Sequence, residues 1–428
     1  MKARPFMQIV RNALHRCHLC LAVAISRRAL FREAQRVHSG NHAIQVGPSH
    51  GFFLISSLLA FTASSTFAQS ALPPSAVRTR SIPGLLAADF SANEEYFAVL
   101  TNQAARQAKF IAEIEIWNLS RLSSLAHREI QENEPIPKFH GSYVRFTSDD
   151  ALLVVYLGTG VIHVLRTNSL EELRTIRLDL PAGSIDQFEV SPTLHLLAVH
   201  RNLEHAGKLE LFDLDSGDSL RSWSIPGGNY SSGSGLAWRN DAHAIAVAVP
   251  DHIRCTRYGG TVYTFENDST KRPISFRVSF LPGNIAFGFD DHVYVAVNSC
   301  GGYFAHWAPD LPIYDPATGR QVGMIPGDRV GIRGSIQVSR DKKILLAYAD
   351  RERTTFEGFE DTLKTSDSQW QIRELPTGKL LFTFPVDPFD FPGYTFDGYR
   401  LSSSGKFALV LNSPLQQIHI LSFHPKPN

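Results

Sequence analysis

The chain has 428 residues, and its 42 Lys and Arg against 41 Asp and Glu give a formal net charge of +1. The balance is uneven, because residues 1–68 hold eight basic side chains and one acidic side chain, which leaves 34 basic and 40 acidic side chains in residues 69–428. This acidic excess argues against nucleic acid as a partner, since polyanion binding needs a positive surface.

The first 68 residues have the features of an export leader. An apolar run covers residues 51–63, and Ser65-Thr-Phe-Ala68 supplies the small residues that a signal peptidase requires. We predict a leader at 1–68 cleaved after Ala68, a mature domain at 69–428 without a stable membrane span, and a periplasmic or extracellular location. The long segment before the apolar run leaves a mis-assigned start, a mitochondrial location or a membrane anchor on an uncleaved leader as alternatives.

Two strand patterns recur along the mature part. Residues 208–227 alternate with period two, turn at Asp213-Leu-Asp-Ser-Gly217 and run back, which is typical of a hairpin. A second pattern, apolar–x–apolar followed by a Ser/Thr-type turn and an apolar run, occurs seven times at spacings of 44 to 63 residues. Its third positions are Phe90, Phe146, Val190, Trp238, Phe287, Val338 and Leu401. A period near fifty residues indicates one four-stranded propeller blade per copy.

The seven copies predict an all-β fold, a seven-bladed β-propeller of four-stranded antiparallel blades. Each copy supplies strands a and b, and a hairpin supplies strands c and d. The last blade has a c strand at 417–423 and no fourth strand after it, whereas Arg80-Ser-Ile-Pro-Gly84 matches the ends of other d strands. We therefore predict that an N-terminal strand near residues 77–82 completes the last blade and closes the ring.

Over residues 77–423 the chain resembles the WD40-like and YVTN-type seven-bladed propellers. The strand ends Phe212-Asp213 and Tyr314-Asp315, together with the Asp-x-x-Thr-Gly turns, carry the resemblance. The Gly-His and Trp-Asp dipeptides of WD40 repeats are missing, and Trp117 is followed by Asn118. The resemblance implies a scaffold that serves many functions, and some YVTN-like members resemble lactonases or quinoprotein dehydrogenases with sites in the central channel.

The b–c and d–a connections are long and irregular, while the a–b and c–d connections are tight. In a propeller the irregular connections, among them 101–112, 200–207 and 298–310, share one face, which predicts a binding face. Rigid aromatic side chains with polar tips suit a protein, peptide or glycan ligand. The predicted binding residues are Tyr303, His306, Trp307, Phe389, Phe391, Tyr394 and Asp397. The alternative is that the aromatic side chains form a local core over the channel mouth.

No metal or cofactor is predicted, although Asp387, Asp390 and Asp397 leave Ca²⁺ as an alternative. Cys17 and Cys20 have no second ligand pair at metal-site spacing.

Cys255 and Cys300 fall in b–c connections of successive copies, which should be neighbours on one face. If the protein is exported, these two cysteines are predicted to form a disulfide. Two free thiols are the alternative for a protein that stays in the cytosol.

Two functional hypotheses follow. The first is an exported, monomeric, non-catalytic binding module that acts through its loop-rich face, and the sequence lacks the Gly-x-Ser-x-Gly, His-Glu-x-x-His and phosphate-loop motifs of common enzymes. The alternative is an enzyme of the lactonase or quinoprotein dehydrogenase type. Convergence of three or more carboxylate, Asn or His side chains at the channel mouth would favour the enzyme.

Overall fold

The computed structural model describes thirteen segments, all within the unit Ala71–Asn428. They are residues 76–106, 109–133, 141–178, 185–203, 206–226, 235–250, 259–267, 272–297, 310–327, 331–349, 369–385, 398–412 and 416–423. No helix in these segments is long and apolar enough to cross a membrane. The strands, in chain order, are β1 (Ala76–Ser81), β2 (Leu85–Phe90), β3 (Tyr96–Arg106), β4 (Lys109–Asn118), β5 (Ser123–Glu132), β6 (Tyr143–Phe146), β7 (Leu152–Tyr156), β8 (Val161–Arg166), β9 (Glu172–Arg177), β10 (Ile185–Val190), β11 (Leu196–Leu203), β12 (Ala206–Asp213), β13 (Ser219–Pro226), β14 (Gly235–Trp238), β15 (Ala244–Pro250), β16 (Gly260–Glu266), β17 (Ile274–Val278), β18 (Pro282–Phe287), β19 (Val293–Val297), β20 (Leu311–Tyr314), β21 (Gln321–Ile325), β22 (Ile332–Val338), β23 (Ile344–Ala349), β24 (Gln369–Glu374), β25 (Leu380–Pro385), β26 (Tyr399–Leu401), β27 (Phe407–Asn412) and β28 (Gln417–Ser422).

These strands form seven blades of four antiparallel strands, which confirms the predicted fold class. The first six blades are β2–β5, β6–β9, β10–β13, β14–β17, β18–β21 and β22–β25, and the seventh contains β26, β27, β28 and β1. A single parallel bridge between Val297 and Arg333 links the fifth and sixth blades. The helical content of the described segments is one 3-10 turn at Phe289–Asp291. Each predicted c strand is present, as β4, β8, β12, β16, β20, β24 and β28.

The core lies between neighbouring blades. The second strands of the blades are the most apolar: all five residues of Leu152–Tyr156 and all seven of Ala244–Pro250 are buried. The described residues form seven buried apolar clusters, one at each junction between consecutive blades, including the junction of the seventh blade with the first. Burial of apolar area therefore holds the ring together, and each blade depends on both of its neighbours.

The first strand closes the ring, as the sequence predicts. Strand β1 pairs antiparallel with β28, from Ala76 opposite Ser422 to Ser81 opposite Gln417. Just beyond the strand, the backbone N–H of Ile82 donates to the carbonyl oxygen of Gln416 at 2.7 Å. Closure covers the edge that β28 would otherwise present to solvent.

The predicted Asp/Glu-x-x-Ser/Thr-Gly turns are confirmed by their backbone geometry. Gly217, Gly319 and Gly378 have φ values of 84°, 67° and 70°, in the region where a side chain is costly. The N–H of each glycine donates at 2.8 Å to the carbonyl oxygen of the acidic residue that opens its turn. Side-chain chemistry and glycine at fixed positions thus bring each c strand back as a d strand.

Two predicted b–c loops are wrong. The regions predicted as loops at 101–112 and 200–207 continue the strands, so that β3 and β4 are separated by residues 107–108 and β11 and β12 by residues 204–205. The pairing persists because Ala112 extends the apolar face formed by Ile114 and Ile116, and Ile111 is buried on the opposite face of β4. These two connections are tall hairpins with short tips.

Removing the closing strand should destabilise the whole propeller. Deletion of residues 76–81 leaves the backbone groups of β28 without partners, and six lost ladder positions correspond to about 3 kcal/mol or more. We expect a large loss of melting temperature or aggregation, measured by calorimetry and light scattering of the full chain. Deletion of residues 70–75 removes the same number of residues outside the strand and serves as the control. Equal melting temperatures for the two deletions would contradict the role of β1.

Candidate functional site at the channel mouth

One position in each repeat lies on the innermost strand of its blade, beside the central channel. It is position x of the apolar–x–apolar pattern, which is the second-to-last residue of each innermost strand. In blade order these residues are Asp89, Arg145, Glu189, Ala237, Ala286, Gln337 and Arg400. The five polar ones line a cavity of about 210 Å³ at the end of the channel where the a–b turns lie. The structure thus places a polar cavity on the face opposite the long connections.

The four charged members occupy consecutive blades with alternating sign. From the seventh blade to the third they are Arg400, Asp89, Arg145 and Glu189. The Nε and Nη2 atoms of Arg145 donate to the two carboxylate oxygens of Glu189 at 3.2 and 3.0 Å. Arg400 lies 3.7 Å from Asp89 and, across the channel, 3.5 Å from Glu189. Both arginine side chains are about 95% buried, so these are interior ion pairs.

Side chains at position x also accept hydrogen bonds from the backbone of the neighbouring blade. The Asp89 carboxylate accepts the N–H of Phe146 at 3.1 Å, and the side-chain carbonyl of Gln337 accepts the N–H of Leu401 at 2.7 Å. In each case the side chain reaches the innermost strand of the following blade. These contacts fix the innermost strands relative to each other and set the geometry of the cavity wall.

Burial changes the proton affinity of both acids in the cavity. It raises the pKa of Asp89 to about 6, even though the charge of Arg145 and the bond from Phe146 act in the opposite direction. Burial likewise raises the pKa of Glu189, against the attraction of Arg145. Carboxyl groups that titrate close to neutrality are common in functional sites, although structural ion-pair networks produce them as well.

Arg340 crosses the mouth of the cavity. Its backbone N–H donates to the carbonyl oxygen of Ser403 at 2.9 Å, and its own carbonyl oxygen accepts a bond from the Asn240 side chain at 2.7 Å. Its guanidinium group donates to the carbonyl oxygen of Pro192. A residue of the sixth blade therefore contacts the a–b turns of the third, fourth and seventh blades.

The a–b turns themselves are linked from blade to blade. The Glu94 carboxylate accepts the hydroxyl of Ser404 at 2.8 Å, and Lys342 forms an ion pair with Asp291. His195 lies 3.0 Å from Asp149 of the preceding blade. Every a–b connection has five residues, which gives this face a regular outline. We call it the tight-turn face.

The described histidines do not form a metal centre. His163 is buried between Glu132 and Glu172, at 2.8 and 2.7 Å, and these two carboxylates raise its pKa although burial alone would lower it. Within the described segments no group of three or more His, Cys, Asp or Glu side chains has an arrangement that could hold a metal ion. His163 belongs to β8 of the second blade, and Glu132 belongs to β5 of the first, so their contact joins neighbouring blades.

The predicted binding residues lie outside the described segments. This holds for Tyr303, His306, Trp307, Phe389, Phe391, Tyr394 and Asp397, and for Cys255 and Cys300. Their connections run between described strands, from Val297 to Leu311 and from Pro385 to Tyr399. The binding role of these residues and the disulfide stay predictions.

The sequence contains a signal for the channel residues. Aligning the seven copies places charged residues at four of the seven x positions, although the flanking residues are apolar and the strand is innermost. A charged side chain at a fixed position of an interior strand indicates either a paired partner or a lined cavity. The signal is lost when position x is taken as one that any residue can occupy.

We expect Asp89 to lower the stability of the protein as pH rises from about 4 to about 6. Its carboxyl pKa is higher in the folded chain than in the unfolded chain, so the folded state keeps the proton in this range and loses stability when it ionises. The free energy of unfolding of the wild type relative to Asp89→Asn should fall by about 1–3 kcal/mol across this range. Denaturant titrations of both proteins as a function of pH measure this change.

The control is Glu171→Gln, which removes a carboxylate whose side chain is 62% exposed. Its pH dependence should follow that of the wild type. Parallel curves for the wild type and Asp89→Asn would contradict the burial effect at Asp89.

Comparison with known proteins identifies the fold. No protein-family model and no curated protein matches the sequence. The structure is similar to 1245 solved chains, one of them a chain in a crystal structure of a mitotic checkpoint complex. That chain has a TM-score of 0.53 and 16% sequence identity, and the match covers 82% of this chain and 96% of the other. A fold shared so widely does not select an activity. The chain has the fold of a WD40-like seven-bladed β-propeller.

Proposed function

We propose that this protein is a non-catalytic interaction module that binds a protein, peptide or glycan partner through the face formed by its b–c and d–a connections. The observation that carries this proposal is the contrast in connection length between the two faces. The seven a–b connections have five residues each, whereas the b–c connections range from two to nineteen residues and the d–a connections from three to thirteen. The six c–d connections within the chain, which share the face of the a–b connections, have four to seven residues. Much larger variation on one face of a repeat array is typical of a binding face.

The contacts of the channel residues support binding rather than catalysis. Both carboxylates of the cavity are engaged by arginine, and Asp89 also accepts a backbone N–H. Groups held in this way serve to fix neighbouring blades, and a nucleophile with an adjacent general base is not found among the charged residues of the cavity wall. Asp89, Glu189 and Asn240 meet the count of three that would favour an enzyme, but each is bonded to a protein group, and the Asn240 side chain donates to the carbonyl oxygen of Arg340. The channel enzyme therefore stays the second candidate.

The structural neighbour agrees with a partner-binding role. That chain was solved in a crystal structure of a mitotic checkpoint complex, in which it is one component of an assembly. A ring whose stability resides in the blade junctions leaves the connections of one face available for contacts with another molecule. We expect the module to be monomeric and to bind one partner.

Aromatic residues on the long connections should contribute to partner binding. We expect Phe391→Ala and Tyr394→Ala to reduce partner capture about thirtyfold, since buried aromatic anchors often contribute about 2 kcal/mol or more. The melting temperature should stay nearly unchanged. The measurement is quantitative mass spectrometry of cross-linked partners from the native host, with the full chain as bait, combined with thermal unfolding of each variant.

The matched control is Phe289→Ala, which removes an aromatic side chain, 46% exposed, from an a–b connection on the tight-turn face. Capture by this variant should equal that of the wild type. Loss of stability with unchanged capture in the Phe391 and Tyr394 variants would show instead that these rings form a local core.

We also propose that the protein is exported and that Cys255 forms a disulfide with Cys300. The apolar run and the cleavage signal at Ala68 support export, and an oxidising compartment favours pairing of two thiols on successive blades. Such a bridge would close a loop of about 45 residues and stabilise the fold by roughly 3–4 kcal/mol in the chain-entropy model.

Thiol titration tests this pairing. Protein isolated after processing, denatured without reductant, should show no reactive thiol, and Cys255→Ser should show one, because the partner cysteine is then released. Two reactive thiols in the processed wild type would contradict the disulfide and would weaken the export proposal, which depends on the same compartment.

A further inference from the structure

The cavity on the tight-turn face has more positive than negative side chains in its wall. The guanidinium groups of Arg145, Arg340 and Arg400 face the carboxyl groups of Asp89 and Glu189. The buried Arg145 and Arg400 side chains are matched in number by the two carboxylates, so the excess positive charge belongs to Arg340, which is exposed at the mouth. An anion that enters the cavity is attracted by this charge. The cavity wall therefore favours a negatively charged ligand.

The next acidic group, Asp150, lies behind this wall and is engaged by the backbone. Its carboxylate oxygens accept the N–H groups of Ala92 and Asn93, at 2.5 and 2.9 Å. Burial raises the pKa of Asp150, against the two backbone bonds and the charge of Arg340, and the charge of Asp150 in turn contributes to the raised pKa of Asp89. Asp150 therefore moderates the positive excess without occupying the cavity.

The geometry of the arginines suits a carboxylate in particular. Arg145 holds the Glu189 carboxylate with two roughly parallel N–H donors, and Arg400 approaches the same Oε1 oxygen from the opposite side of the channel. This fork arrangement matches the planar carboxylate group. The Glu189 side chain is 27% exposed and lines the cavity, so an external carboxylate that enters the cavity meets the arginines beside Glu189.

Size limits the ligand to a small molecule. The cavity volume of about 210 Å³ is below the range of drug-sized pockets, and Arg340 covers part of the opening. The cavity wall also carries the hydroxyl groups of Ser148 and Ser403, which can hydrogen-bond a polar ligand. A compact organic acid of a few carbon atoms satisfies these limits, whereas a macromolecular segment does not.

We propose that this cavity binds a small organic carboxylate, held by the guanidinium groups of Arg145 and Arg400 beside Glu189 and covered by Arg340. The site lies on the tight-turn face, and it is independent of the partner proposed for the long connections. Burial raises the pKa of Asp89 to about 6, so the positive excess in the cavity increases as pH falls toward about 6 and Asp89 takes up a proton; burial raises the pKa of Glu189 as well. The carboxylate should therefore bind more tightly at mildly acidic pH than above about pH 7.

The experiment uses succinate as the probe and the full chain as the protein. Calorimetric titration gives the affinity, and thermal unfolding reports the stabilisation, with sodium chloride at matched ionic strength as the control for general salt effects. We expect succinate to raise the melting temperature and sodium chloride to have no such effect.

Two variants should shift the affinity for succinate in opposite directions. Glu189→Gln removes the internal carboxylate that competes for the arginines, so succinate should bind about tenfold more tightly. Arg340→Gln removes the cover at an exposed position, and succinate should bind about tenfold more weakly while the fold is retained. Opposite shifts at two wall residues distinguish a site in the cavity from binding elsewhere on the protein.

Three results would overturn the proposal. They are the absence of saturable succinate binding to the wild type, equal affinities for the wild type and both variants, or stronger binding of inorganic phosphate than of succinate. The last would identify the cavity as a phosphate site. Loss of partner capture on the other face would leave all of these measurements unchanged, so failure of this proposal and failure of the proposed function are distinguishable.

Discussion

Pairing between the two ends of the domain is the constraint on which the rest of the propeller depends. Strand β1 joins β28 across more than three hundred residues of chain, and the cluster that contains Leu85, Leu409 and Ile418 forms only when the ring is complete. Each blade buries one face against each neighbour, so an open ring would expose two apolar faces at once. The closing strand contributes few buried side chains itself, but it holds the seventh blade where the first blade can pack against it.

The buried charges contribute less to stability than the apolar junctions do. Desolvation of an interior ion pair offsets most of its Coulombic attraction, whereas removal of one partner costs about 3–5 kcal/mol. Seven apolar clusters therefore supply the net stabilisation, and the alternating charges of Arg400, Asp89, Arg145 and Glu189 make it costly to change any single one of them. The bonds from Asp89 and Gln337 to the next innermost strand add a fixed register between blades.

Much of the fold was predictable because strands and turns depend on local patterns. Period-two alternation and the glycine of Asp213-Leu-Asp-Ser-Gly217 locate hairpins, and the fifty-residue recurrence counts the blades. The tall β3–β4 hairpin was missed because the polar residues near its tip resemble a loop until the burial of Ile111 is known. The channel cavity was missed because it combines one residue from each of several blades, and no linear spacing records such a convergence.

The two faces differ because they meet different structural requirements. On the tight-turn face, connections of constant length bring Arg340, Glu94 and Asp150 into contact with neighbouring blades, so an insertion there would break several contacts between blades. On the opposite face, a connection of nineteen residues between β23 and β24 coexists with a fully paired blade. Since lengthening a loop costs little free energy, that face can change in length and sequence without loss of the ring. The stable part of the molecule and its variable part are thus held at opposite ends of the same strands, and this separation allows one propeller to present a new surface while its core stays the same.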